Sequence, residues 1–153
     1  LARFDGVQYG HREIVDNPIE MTTKTRTNGF GDEVKRRILL GTFVLSSGYY
    51  DAYFEKAQCM RRLIQQDFKD AFKDVDILLT PTVPAPPFKI GEKTDDPLTM
   101  YLSDIFTVPM SLAGVPALNI PIGKTEENLP VCIQAVSNFF KENDLFNFAE
   151  IIE

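Results

Sequence analysis

The hydrophobic pattern changes period several times along the chain, and the changes mark out the elements. Residues 1–29 hold no sustained period. Gly6, Gly10, Asn17-Pro18 and Asn28-Gly29 punctuate them, which predicts an irregular segment with one short helix at Ile19–Thr27. From Asp32 to Leu45 the apolar residues Phe30, Val34, Ile38 and Leu45 recur at roughly helical spacing, with Asp32 placed to cap the first turn. Gly41 inside this run either weakens the helix or marks the close approach of a neighbouring backbone. A longer helix follows, from Tyr49 or Asp51 to Phe72. Tyr53, Ala57, Met60, Ile64, Phe68 and Ala71 form its apolar stripe, and Glu55, Lys56, Arg61, Arg62, Gln65, Gln66 and Lys69 form the opposite face.

The second half switches between short apolar runs and helical patterns. Ile77–Thr80 reads as a buried strand that stops at Pro81. Four prolines between Pro81 and Pro87 demand an extended loop, because proline cannot donate to a ladder. Residues 89–98 are polar and predict a surface loop. Met100–Ala113 reads as helix, kinked or broken at Pro109 and ended by Gly114. Ala117–Ile122 and Leu129–Val136 are strand candidates around a turn at Gly123–Asn128, and 143–153 is a last amphipathic helix. The order is that of an α/β fold, with a sheet covered by helices on both sides.

Composition narrows the function. The chain has 153 residues, with 22 acidic and 16 basic side chains and a net charge of −6, which argues against the chain itself binding nucleic acid tightly. The clusters Lys35-Arg36-Arg37 and Arg61-Arg62 lie beside acids on helical stretches and read as solvated faces. One histidine, His11, cannot build a zinc site. Cys59 and Cys132 lack metal or redox spacing and read as reduced thiols of a cytosolic protein. No apolar run approaches the ~20 residues that span a bilayer. The chain begins at Leu1 with neither initiator Met nor signal-like segment, which suggests a piece of a longer protein.

Phosphate loops of the G-x-x-x-x-G-K-[ST] and G-x-G-x-x-G kinds are absent, as is a G-x-S-x-G elbow. Ser46-Ser47 beside Gly48 read as helix caps, and Asp95-Asp96 and Glu126-Glu127 as solvated loop acids. Two charges stand out. Arg37 borders the apolar face of its helix, and Asp104 sits beside Tyr101 and Ile105 on a stretch poor in charge. A charge at a buried face needs a partner or a ligand, so each is either a structural ion pair or a binding group.

Several motifs resemble the amidase-signature family, and within it the A subunits of aspartyl/glutamyl-tRNA amidotransferases. They are Gly29-Phe30-Gly31-Asp32-Glu33-Val34-Lys35-Arg36-Arg37-Ile38, Leu45-Ser46-Ser47-Gly48-Tyr49-Tyr50-Asp51-Ala52-Tyr53, Leu79-Thr80-Pro81-Thr82, Met100-Tyr101-Leu102-Ser103-Asp104-Ile105 and Leu112-Ala113-Gly114-Val115-Pro116-Ala117. The first two blocks are specific to these subunits; the Thr-Pro-Thr and Leu-Ala-Gly-x-Pro pieces are shared more widely. The family's Gly-Leu-Gln is replaced here by Cys132-Ile133-Gln134.

The resemblance implies the C-terminal portion of a single amidase domain over 1–153, with a mixed sheet flanked by helices. It implies a subunit that hydrolyses glutamine and supplies ammonia to convert Glu-tRNA(Gln) to Gln-tRNA(Gln), with Asp-tRNA(Asn) a second candidate. The family's Ser-Ser-Lys machinery would lie upstream of Leu1, so no catalytic residue is expected here. Arg37 matches the residue that holds the glutamine α-carboxylate, and Asp104 the one that holds its α-ammonium. Implied partners are the B and C subunits of a heterotrimer, with tRNA reached through a partner and no membrane. No cofactor is expected in this chain; ATP and Mg are used by the intact complex. The location implied is cytoplasmic, or organellar if a transit peptide precedes Leu1. Two alternatives stay open: another amidase-signature hydrolase, or a non-catalytic module that docks onto a partner. Strands lacking neighbours would leave an exposed sheet edge.

Overall fold

The computed structural model describes residues 3–92 and 97–152. The chain forms two compact units, residues 1–56 and 57–153.

In the first unit, helix α1 spans Pro18–Gly29. Asn17 caps it, its Oδ1 accepting from the backbone N–H of Ile19 (2.9 Å) and Glu20 (3.3 Å), and Pro18 opens the helix where no backbone donor is needed. The expected Ile19–Thr27 helix is present and slightly longer. The irregular segment before it is built from local polar contacts. Asp5 accepts from the N–H groups of Val7 and Gln8, which holds its carboxyl below the usual carboxylate range. Gly6 has φ +78°, and a Cβ there would lie 2.9 Å from the Thr25 methyl and 3.0 Å from the His11 carbonyl oxygen, so only glycine fits. Buried Thr25 accepts from the Glu13 N–H at 3.0 Å. Glu13 in turn accepts from Asn28 and interacts with His11, both at 3.0 Å.

Helix α2 spans Asp32–Val44. Gly31, not Asp32, occupies its N-cap; Asp32 is the first helical residue, where its charge still complements the helix N-terminus. None of the residues of α2 is buried. A Cβ on Gly41 would meet nothing within 4 Å, so among the described residues no backbone approaches it. The Ser46 hydroxyl donates to the Phe43 carbonyl at 2.7 Å, the capping role expected of it. The single helix expected from Tyr49 to Phe72 divides. Tyr50–Glu55 is a π-helical turn, and α3 runs Lys56–Ala71. Rings pair across the π turn, Tyr50 with Phe54 (4.8 Å) and Tyr49 with Tyr53 (6.1 Å), while the Phe43 ring lies 4.4 Å from that of Tyr49.

The second unit is a three-stranded sheet with helices on both faces. Strands β1 (Ile77–Pro81), β2 (Ala117–Lys124) and β3 (Pro130–Ser137) lie in the order β1-β3-β2, all antiparallel among the described residues. The strand and turn positions expected from sequence are present; β2 extends to Lys124. The helical stretch expected over Met100–Ala113, kinked or broken at Pro109, is broken: helix α4 (Pro97–Leu102) and helix α5 (Val108–Ala113) take its place. The break falls at 103–107, and Pro109 sits in the first turn of α5, where its missing N–H costs nothing. Part of the expected 89–98 loop, residues 93–96, is outside the described residues. Helix α6 spans Glu142–Ile152.

Two clusters sandwich the sheet. On one face Val136 packs with Phe72, Met110, Ala113 and Val115, backed by Ile64 and Phe68 of α3. On the other Ile120 and Ala135 pack with Leu145 of α6, backed by Phe148 and Ala149. The α3 stripe is therefore engaged from Ile64 onward, whereas Met60 is exposed. Arg61 and Gln65, expected on a solvated face, instead donate to the carbonyls of Leu112 (2.8 Å) and Ala113 (2.9 Å), satisfying the C-terminal end of α5.

Leu145 is the buried anchor of α6, so Leu145→Ala should cost about 3 kcal/mol in urea unfolding of the chain. In the first unit, the hydrogen bond from Asn28 and then the one from His11 hold the Glu13 carboxyl below the usual glutamate range. A depressed carboxylate pKa adds stability that is present above the unfolded value of about 4.3 and is lost as pH falls through the folded value. Protection factors of the amides in residues 11–28, taken against their intrinsic exchange rates at each pH, should therefore fall with acidification below about pH 4.3, and Glu13→Gln should flatten that dependence.

Candidate functional site

Arg37 lies in the first unit, on the second turn of α2, and is well exposed, its side chain 67% accessible. Its position is set locally. Glu33, one turn earlier, accepts from Arg37 Nε at 2.9 Å through one carboxylate oxygen and from Arg36 Nη1 at 2.8 Å through the other. Glutamate N-terminal to arginine at this spacing is the favoured helical orientation. Arg37 is thus ion-paired within its helix, one of the two roles that sequence left open, while its guanidinium remains at the surface. An exposed pair of this kind adds little stability and can give way to a stronger anion.

Asp104 lies in the second unit, in the turn between α4 and α5, and is exposed. Its backbone is firmly held. The Asp104 N–H donates to the Tyr101 carbonyl at 3.1 Å. The Asp104 carbonyl accepts from the N–H groups of Thr107 and Val108, each at 3.0 Å, and from the Thr107 hydroxyl at 3.2 Å. An apolar cleft of about 230 Å³ lies against the same turn, lined by the proline-rich segment 83–88 and by Ser103.

A polar row beneath this turn escapes the sequence reading. Thr80, Gln134 and Asn119 are direct cross-strand partners on β1, β3 and β2 and so share a face. The Gln134 amide donates to the Phe106 carbonyl at 2.7 Å and to the Thr80 hydroxyl at 3.1 Å, and Thr82 donates to Asn119. A signal for it exists: on β3, Gln134 alternates with Cys132 and Val136, which places an amide on a core-facing position. A buried amide of this kind needs partners, and it finds one in the turn that carries Asp104.

Cys59 and Cys132 are free thiols. Among the described residues no group of three His, Cys, Asp or Glu side chains could hold a metal, and no helix is long and apolar enough to cross a membrane.

Comparison with known proteins supplies the context. The chain is 56% identical to the A subunit of glutamyl-tRNA(Gln) amidotransferase from Shouchella clausii, and 56% identical to its counterpart of the same name from Microcystis aeruginosa; in both cases the match takes in all of this chain and 32% of the relative. It therefore spans about a third of the length of the curated relatives it matches. The crystal structure of the A subunit of glutamyl-tRNA(Gln) amidotransferase from Thermotoga maritima superposes on 86% of this chain and 29% of that one, with a TM-score of 0.63 and 48% identity. A crystal structure described as an amidase does so at 26% identity and a TM-score of 0.62, over 86% of this chain and 30% of that one. The Amidase family model matches residues 1–146, nearly the whole sequence, and the chain belongs to the amidase family.

Proposed function

We propose that this chain is the glutamine-recognising portion of an A subunit of a glutamyl-tRNA(Gln) amidotransferase. The observation that carries the reading is the 56% identity of the whole chain to subunits of that name. The family resemblance assigns Arg37 to the substrate α-carboxylate and Asp104 to its α-ammonium, and in support each presents its charge at the surface on well-anchored backbone.

The chemistry of the two groups fits the task. A guanidinium presents parallel N–H donors that match a carboxylate bidentately, and a carboxylate accepts from an ammonium in a short, charge-assisted bond. The pair selects a zwitterionic amino acid over a simple amide. The nucleophilic Ser-Ser-Lys set belongs to the remainder of the subunit, so Arg37 and Asp104 orient the side-chain amide rather than attack it. The ammonia released then serves partner B and C subunits of a cytoplasmic heterotrimer. These use ATP and Mg to activate glutamate on Glu-tRNA(Gln), in a glutamine-hydrolysing glutaminyl-tRNA synthase reaction; Asp-tRNA(Asn) is served where the partner accepts it.

The test is a chimera in which these 153 residues replace the matching third of the Shouchella clausii protein, assembled with its partners. Arg37→Ala should lower kcat/KM for glutamine about 30-fold, as expected for loss of a charge-assisted contact of about 2 kcal/mol. Arg37→Lys should recover only part of it, because a point charge cannot reproduce the fork. Unchanged kinetics would favour an amide hydrolase that does not read the α-substituents. The 153-residue chain alone should release no ammonia from glutamine, since acyl transfer needs nucleophile, base and oxyanion donors together; ammonia release above blank would refute that.

A further inference from the structure

We propose that Gln134 is a positioning residue for substrate recognition: it locks the turn that presents Asp104. This rests on the assignment of Asp104 to the α-ammonium contact. Residues 103–107 belong to neither α4 nor α5, and the bonds that close the turn are local, joining residues three or four apart. The bond from the Gln134 amide to the Phe106 carbonyl is different in kind. It spans 28 residues, is short at 2.7 Å, and ties the turn to the central strand of the sheet. Gln134 is only 5% exposed, so the bond forms out of competition with water. The second amide donation, to Thr80, fixes the side chain from the neighbouring strand. An exposed carboxylate two residues from Phe106 is thereby held by a buried amide.

The chemistry requires the amide itself. Phe106 offers a carbonyl, which needs a donor; methionine has the length of glutamine but no donor, and glutamate at neutral pH would set a carboxylate against the carbonyl. A loosened turn leaves the Asp104 charge in place but spreads its position, so binding of the ammonium weakens while the attack on the amide, made elsewhere, does not.

The experiment uses the chimera described above and two substrates: glutamine, and 4-carbamoylbutanoate, which is glutamine without its α-ammonium. Gln134→Met should raise KM for glutamine about tenfold with kcat within about threefold, and should lower the preference for glutamine over 4-carbamoylbutanoate about tenfold. A purely structural role would depress both substrates alike and leave the preference unchanged. Hydrogen exchange over residues 102–108 should quicken in Gln134→Met. Thr80→Val, which removes only the second partner, should shift preference and exchange the same way by less; it carries the test if Gln134→Met does not fold. An unchanged preference in the Gln134 variant, with a lowered one in Asp104→Ala, overturns the positioning role alone. An unchanged preference in Asp104→Ala overturns the assignment of Asp104 and this proposal with it. Unaltered exchange over 102–108 overturns the lock whatever the kinetics.

Discussion

β3 is hydrogen-bonded along both edges, to β1 on one side and β2 on the other, and residues 134–137 are all buried. At these four residues the strand has no face for solvent, so each of their side chains must find a packing or hydrogen-bonding solution inside the protein. Ala135 and Val136 solve it by packing, one toward α6 and the other toward α3 and α5. Ser137 solves it by donating to the Lys141 carbonyl at 2.9 Å, which ties the strand end to the start of α6. Gln134 solves it through Thr80 and Phe106. The placing of all three helices and of the Asp104 turn follows from how this one strand is satisfied.

The two charges proposed to hold glutamine obey a different logic. Neither is buried, so neither bears the desolvation cost of an interior ion. Exposed charges bind weakly unless their geometry is fixed beforehand, because ordering a long side chain or a loop at the moment of binding consumes the Coulombic gain. Both residues meet that requirement through neighbours. Glu33 aligns Arg37 along α2, and the hydrogen bonds around residues 101–108 hold the Asp104 backbone. The weak link of such a site is thus its support as much as the charged groups themselves.

Much of the fold is legible in the sequence because its periods are local. The short apolar runs at 77–80, 117–122 and 129–136 form strands, and the pattern after residue 142 forms α6. Sequence and structure part where a local pattern has two solutions. A π turn shifts helical register by one residue and leaves an aromatic sequence such as Tyr50–Phe54 looking helical throughout. The stripe of α2 is periodic, yet its members Ile38 and Leu45 are exposed in this chain, since periodicity records what a face is fit to pack against rather than whether a partner is present. Arg61 and Gln65 read as surface residues because the carbonyls they satisfy lie about fifty residues away. Arg37 and Asp104 stand out in the charge pattern and take their proposed roles from family motifs, whereas the part played by Gln134 is visible only with β1 beside β3 and the 103–107 turn above them.

The break between α4 and α5 shows how one residue converts a helix into part of a site. In a continuous helix the residue at 109 would donate its N–H to the Ile105 carbonyl; proline has no such donor, and its ring would crowd that carbonyl. The chain resolves the conflict by ending α4 at Leu102 and restarting at Val108, so that Pro109 falls in a first turn. The Asp104 carbonyl then collects both backbone donors of the new turn and the Thr107 hydroxyl, and the Phe106 carbonyl, no longer committed to a helix, accepts from Gln134. Pro109, read from sequence as a kink or break, accounts for the presence of a turn on which an aspartate can be presented.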